Sequence, residues 1–198
     1  VLKKLVARGD FSGRTGETLL LTDLPGIEAS RALLTGLGSR KNFGRKSWRR
    51  SLTSAITAIS KTRISSIAVA LDRLPAKELD DYYFGRVVAE VVGSTLYRVN
   101  DLKTNKKPKP HALQKVMAGP VRKAGVEDAE RGLEHGQAVG SAATLQRDLA
   151  NLPPNICTPI YLADQARALA KQYTSLRVQI LDEPAIKKEK MGCLLAVS

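Results

Sequence analysis

Histidine and cysteine are nearly missing from this sequence: His111, His135, Cys157 and Cys193 are the whole supply in 198 residues. A protein-made metal centre needs several carboxylates, imidazoles or thiolates converging on the ion. Neither histidine has a ligand-type partner at i+3 or i+4, so the expectation is that no residue of this chain is a metal ligand and none is catalytic. The cysteines are too few and too far apart for a disulfide framework or a zinc site, and are read as reduced core residues. Uninterrupted apolar runs of about eighteen residues are absent, and no basic segment followed by an apolar one opens the chain, which leaves neither a membrane span nor a signal peptide to read. A soluble, cytoplasmic protein is the expectation. Gly-x-Ser-x-Gly and Walker-type phosphate loops are also missing, and Gly36-Leu37-Gly38 is followed by its third glycine only at Gly44, so no dinucleotide fingerprint forms.

Acid is in short supply as well, with 19 acidic against 32 basic residues and a net charge of +13. The excess is local. Arg40, Lys41, Arg45, Lys46, Arg49 and Arg50 lie in one stretch without an acid, and Arg98, Lys103, Lys106, Lys107, Lys109, Lys115, Arg122 and Lys123 lie in another with Asp101 alone. Together these stretches carry the whole excess. Solvated surface charge is the default reading of such runs, and a polyanion footprint is the alternative. The candidate nucleic-acid contacts are Arg40, Lys41, Arg45, Lys46, Arg49, Arg50, Lys103, Lys106, Lys107 and Lys109. Aromatic interleaving is sparse, and Trp48 reads as core, so a duplex fits better than a single strand.

Along the chain, Val1 to Val6 reads as the end of a helix, and Arg8 to Gly16 as a turn-rich loop. Thr18 to Thr22 and Arg31 to Thr35 read as strands around the turn Asp23-Leu24-Pro25-Gly26. Trp48, Leu52, Ala55, Ile56 and Ile59 recur at helical spacing within Arg45 to Ile59, and Tyr83, Val87, Val91 and Val92 do so within Leu79 to Leu96. Ile64 to Leu71 has the content of a buried strand. Arg98 to Pro110 reads as an exposed loop before a short strand at Leu113 to Val116. A long helix is expected over Glu127 to Leu152, stopped by Pro153-Pro154. Gly132, Gly136 and Gly140 recur on it at i, i+4 and i+8, each costing roughly 1 kcal/mol against alanine when exposed, which predicts a close neighbour. Thr158-Pro159 opens a helix through Tyr173, and Arg177 to Leu181 and Cys193 to Val197 read as strands. The acid pairs Asp80-Asp81, Glu127-Asp128 and Asp182-Glu183 fall where helices should begin, which the helix dipole explains without catalysis. His135 reads as a helix-surface residue. Strands alternating with helices predict an α/β layer structure. The last apolar run has no turn or cap behind it and Val1 opens the chain, so both ends are expected to be cut.

Several of these segments together resemble the bacterial leucyl aminopeptidases, the cytosol aminopeptidase family. Arg8-Gly9-Asp10-Phe11-Ser12-Gly13-Arg14-Thr15-Gly16-Glu17-Thr18 is similar to the family's amino-terminal signature, and Leu33 to Gly38 to the strand and turn after it. Tyr97-Arg98-Val99-Asn100-Asp101-Leu102-Lys103 resembles the segment ahead of the family's variable basic loop. Arg147-Asp148-Leu149-Ala150-Asn151-Leu152-Pro153-Pro154-Asn155, continuing to Ala163, carries the strongest likeness, and Met191 to Val197 resembles a strand before the catalytic core.

The resemblance implies a macro-domain-like mixed sheet flanked by helices over residues 1–124, a linking helix over 125–152, and the first elements of a second, catalytic α/β domain over 153–198. It implies a parent that removes amino-terminal residues from peptides with two divalent metals, manganese or zinc and also magnesium, a metal-activated water attacking the first peptide carbonyl. It further implies a homo-hexamer in which this chain meets its own catalytic domain. The family's metal motifs lie beyond Ser198, so this chain alone is expected to be inactive and to serve assembly and regulation. The alternative, from a different class, is a duplex DNA-binding module using segments 40–50 and 98–123. An ADP-ribose binder, borrowed from the macro-domain comparison alone, is the third and weakest reading.

Overall fold

The computed structural model describes residues 2–69, 79–99, 110–119 and 123–196, which divide into two compact units, Val1–Asp148 and Leu149–Ser198. In the first, helix α1 (Leu2–Arg8) leads into a loop and then the antiparallel pair β1 (Thr18–Thr22) and β2 (Arg31–Thr35), with Leu20 opposite Leu33. The turn between them needs left-handed backbone, which Asp23 (φ 54°) and Gly26 (φ 83°) supply. The loop before β1 is organised by Glu17, whose carboxylate accepts from the Ser12 hydroxyl at 2.6 Å, the Ser12 N–H at 3.1 Å and the Arg14 N–H at 3.0 Å. The Ser12 hydroxyl first, and then the backbone donors, hold this carboxyl below its ordinary value. Gly36, at the end of β2, has no room for a side chain: a Cβ there would strike the Arg14 carbonyl.

Helix α2 (Arg45–Ser60) and helix α3 (Asp81–Leu96) form the core. Trp48, Leu52 and Ile56 from α2, at helical spacing, meet Phe84, Val87, Val88 and Val91 from α3. Complete burial of each large side chain stabilises by roughly 1.5–3 kcal/mol. The buried Ser51 hydroxyl is satisfied by the Gly36 carbonyl at 2.7 Å, which ties α2 to the end of β2. Asp80 starts α3 by accepting from the Tyr83 N–H at 2.7 Å. Strands β3 (Ser66–Val69) and β4 (Lys115–Ala118) pair in parallel, Ile67 opposite Val116. A parallel pair needs a crossover, and α3 lies within that connection. Helix α4 (Val126–Asn151) closes the unit, with Glu127 and Asp128 in its first turn.

In the second unit, α5 (Pro159–Gln172) begins at Thr158, whose hydroxyl accepts from the Tyr161 N–H at 3.2 Å. Asp182 does the same for α6 (Glu183–Lys188), accepting from Ala185 at 3.0 Å, and α7 (Gly192–Leu195) follows. None of its described residues is fully buried.

The structure corrects four sequence expectations. Arg177 to Leu181 is not a strand: it pairs with no other segment among the described residues, and without a ladder an alternating sequence has nothing to complete. Cys193 to Leu195 lies in α7, not in a strand, because five apolar residues fit either period and Gly192 to Ala196 closes a helical turn through a 3.0 Å bond; Val197 lies outside the described residues. Cys157 is half-buried and Cys193 exposed, so neither is a core residue. β3 alternates exposed and half-buried positions, where a fully buried strand was expected over Ile64 to Leu71; Ala70 and Leu71 lie outside the described residues.

Candidate functional site

The first basic run starts in a 3-10 turn, Arg40–Asn42, and climbs the exposed side of α2 opposite Trp48, Leu52 and Ile56. There it divides. Arg49 reaches across to Glu90 on α3, which also accepts from Arg86 at 2.7 Å, one turn earlier on its own helix. Burial pushes the Glu90 carboxyl up, but the hydrogen bonds from Arg86 and Arg49 outweigh it and hold the group below its usual range. The Arg45 guanidinium lies 4.5 Å from the Tyr83 ring centre, a cation–π contact to the same helix. Arg40, Lys41, Lys46 and Arg50 are exposed and have no ion pair among the described residues. These four are the exposed remainder of the run. Trp48 is 4% exposed and tilted against Phe84 at 6.0 Å, so it is core and not a stacking platform.

Glu90 was missed in the sequence because it stands in the apolar stretch Val87 to Val92. The Arg86 to Glu90 spacing of one helical turn was the available signal. Of the second run, Lys115 is exposed on β4, while Lys103, Lys106, Lys107 and Lys109 lie outside the described residues, as does most of the loop expected over Arg98 to Pro110.

His135 is exposed on α4, its Nδ1 3.0 Å from the Tyr82 hydroxyl, while Arg131 lies 5.6 Å from the Tyr82 ring. His111 sits apart, beside Arg98 at 3.4 Å. Among the described residues no three His, Cys, Asp or Glu side chains converge. The donor set for a divalent metal pair is therefore not among them.

The glycines of α4 find their neighbour in α3. A Cβ on Gly132 would strike the Tyr82 carbonyl, one on Gly136 the Arg86 carbonyl, and one on Gly85 of α3 the Ala129 carbonyl. These approaches advance together along both helices, so the two run in the same direction. Beyond this tight zone the packing relaxes to ordinary contact: a Cβ on Gly93 would lie 3.7 Å from the Gly140 Cα, and one on Gly140 4.0 Å from the Ala89 carbonyl. An open cleft of ≈ 620 Å³ runs alongside the pair, lined by Val92 and Gly93 of α3, Val116 of β4, and Leu133, Ser141 and Thr144 of α4. The helices are joined once more at their far ends, where the Tyr97 hydroxyl donates to Asp148 at 2.8 Å.

A mixed α/β protein with small sheets and many helices is what these elements define, and known proteins share it. The chain matches the model described as cytosol aminopeptidase family, N-terminal domain, over residues 1–106, and that for the family's catalytic domain over residues 144–198. It belongs to the cytosol aminopeptidase family. A probable cytosol aminopeptidase of Halorhodospira halophila is 36% identical over 197 residues, 100% of this chain and 40% of that protein. One of Alkalilimnicola ehrlichii is 39% identical over 191 residues, 96% of this chain and 38% of that protein. The chain thus spans about two fifths of the length of the curated relatives it matches. A solved tomato leucine aminopeptidase mutant superimposes with a TM-score of 0.73 at 27% identity, over 96% of this chain and 36% of that one. The bottromycin maturation enzyme BotP shares the fold, with a TM-score of 0.70 at 22% identity over 93% of this chain and 37% of that one.

Proposed function

We propose that this chain is the amino-terminal part of a metal-dependent leucyl aminopeptidase, a hydrolase that removes amino-terminal residues from peptides. The observation that carries this reading is the ordered match of both family models along one chain, 1–106 and then 144–198. In this reading residues 1–124 are the amino-terminal domain, 125–152 the linking helix and 153–198 the start of the catalytic domain. The metals, manganese or zinc and also magnesium, belong to the remainder of the protein. The name of one related structure, BotP in complex with Mn, favours manganese as the first to test. This chain's own part is assembly and regulation within a cytoplasmic homo-hexamer; no helix among its described residues is long and apolar enough to cross a membrane. The test is release of 4-nitroaniline from leucine 4-nitroanilide with added manganese. The complete protein is expected to turn over and the 198-residue chain alone is not; turnover by the chain alone, or none by the complete protein, counts against the reading.

A second reading, duplex DNA binding, draws on one observation: Arg40, Lys41, Lys46 and Arg50, close in the chain, are all exposed and without acidic partners among the described residues. Arg49 and Arg45 leave that set because Glu90 and Tyr83 engage them. Salt dependence of duplex binding tests it.

A further inference from the structure

Two motifs that stood apart in the sequence, Tyr97-Arg98 and Arg147-Asp148, touch in the fold. Tyr97 leaves the end of α3 with extended backbone, φ −58° and ψ 136°, which turns its ring toward α4. Its hydroxyl donates to Asp148 at 2.8 Å. Arg147, the neighbouring residue on α4, lays its guanidinium over the same ring at 5.2 Å and donates to the Ser94 carbonyl at 3.1 Å. Ser94 belongs to the last turn of α3, where carbonyls lack partners within the helix and the dipole favours a cation. One pair of adjacent residues thus grips both the last turn of α3 and the aromatic ring that follows it.

The placement in the chain gives this contact its meaning. Ser94 and Tyr97 lie in the segment matched by the amino-terminal-domain model, and Arg147 and Asp148 are among the first residues matched by the catalytic-domain model. α3 and α4 are already packed tightly at their other ends by Gly85, Gly132 and Gly136, and between the two points they keep only ordinary contact at Gly93 and Gly140, with the cleft alongside. Past Gly140, the hydrogen bonds of Arg147 and Asp148 tie the last turns of α4 to the end of α3. Charge-assisted hydrogen bonds are the stronger kind, and the hydroxyl-to-carboxylate and guanidinium-to-carbonyl bonds are both of that kind.

We infer that Tyr97, Arg147 and Asp148 form a clasp by which the amino-terminal domain holds the first turns of the catalytic segment, and that they are positioning residues for the peptidase reaction. This rests on the aminopeptidase reading above. None of the three supplies a reacting group; the clasp acts by fixing the point from which the catalytic chain departs.

The complete protein tests it with Tyr97→Phe, Asp148→Ala and Asp148→Asn. Tyr97→Phe removes one hydroxyl and Asp148→Ala its acceptor, while Asp148→Asn keeps an oxygen that accepts. Amide exchange over 144–151 is expected to quicken about tenfold in the first two variants, the weaker end of what a hydrogen bond to a charged group contributes. Exchange over 127–136 should stay as in wild type. With leucine 4-nitroanilide, kcat should fall about threefold or more with KM within about twofold, on the same scale of one missing bond. Asp148→Asn, which keeps the acceptor but not the charge, should fall between Asp148→Ala and wild type in both. Unchanged exchange in Tyr97→Phe overturns the clasp, and faster exchange with unchanged kcat overturns its positioning role. A wild-type protein without peptidase activity removes the aminopeptidase reading instead, and the exchange comparison still decides the clasp.

Discussion

Arg49 of α2 and Glu90 of α3 are joined by an ion pair across the two helices that build the core, with Arg86 on the other side of the same carboxylate. Glu90 is only 11% exposed, whereas Arg49 is 45% exposed. The pair is thus a partly covered brace and not a free surface contact. Because Glu90 titrates below its ordinary 4.5 in the folded chain, the unfolded chain binds its proton more tightly. The stability it contributes is present above 4.5 and is lost as the pH falls through the depressed folded value. Glu90→Gln is expected to cost about 1 kcal/mol at pH 7, and to flatten the acid limb. Urea midpoints between pH 7 and pH 3 check this; an unchanged acid limb in the variant would count against Glu90 as its source.

The glycines of α4 are not equivalent. Gly132→Ala places a methyl against the Tyr82 carbonyl, and is expected to destabilise by about 1–3 kcal/mol, the usual range for overpacking. Gly140→Ala faces the cleft, with the Ala89 carbonyl 4.0 Å away, and should be neutral or gain up to about 1 kcal/mol from helix propensity. Thermal unfolding of the two variants side by side is the measurement, and equal losses in both would refute the distinction.

For the basic surface, removing Arg40, Lys41, Lys46 and Arg50 together should lower the slope of log K against log salt on duplex DNA by up to about 0.9 for each phosphate that is no longer neutralised. Arg49→Ala should act instead through stability, since its charge is committed to Glu90. Fluorescence anisotropy over a salt series separates the two. An unaltered slope in the fourfold variant leaves these residues as solvated charge.

Much of this architecture could be read beforehand where periodicity ran long. Trp48, Leu52, Ile56 and Ile59 recur over about three turns, and Tyr83, Val87, Val91 and Val92 over about two and a half, so α2 and α3 could be read from the sequence. Short apolar runs did not. Cys193 to Val197 is too brief to choose a period, and Arg177 to Leu181 alternates correctly yet meets no partner among the described residues. The Gly132 and Gly136 spacing foretold a close neighbour but could not say that α3 was it, because that depends on packing against residues some fifty positions away in the chain. Tyr97 and Asp148 were each noticed in their own motif, and only the fold joined them. The basic run was plain from composition, whereas its division by Glu90 and Tyr83 was set by the packing of one helix against another.

Trp48 carries a practical consequence. It is the chain's single tryptophan, and it sits against Phe84 where α2 meets α3, its indole nitrogen without a hydrogen-bond partner among the described residues. An indole in such dry surroundings emits to the blue of one in water, so its fluorescence reports this helix junction without any added label. A red shift would mark the moment at which α2 and α3 come apart.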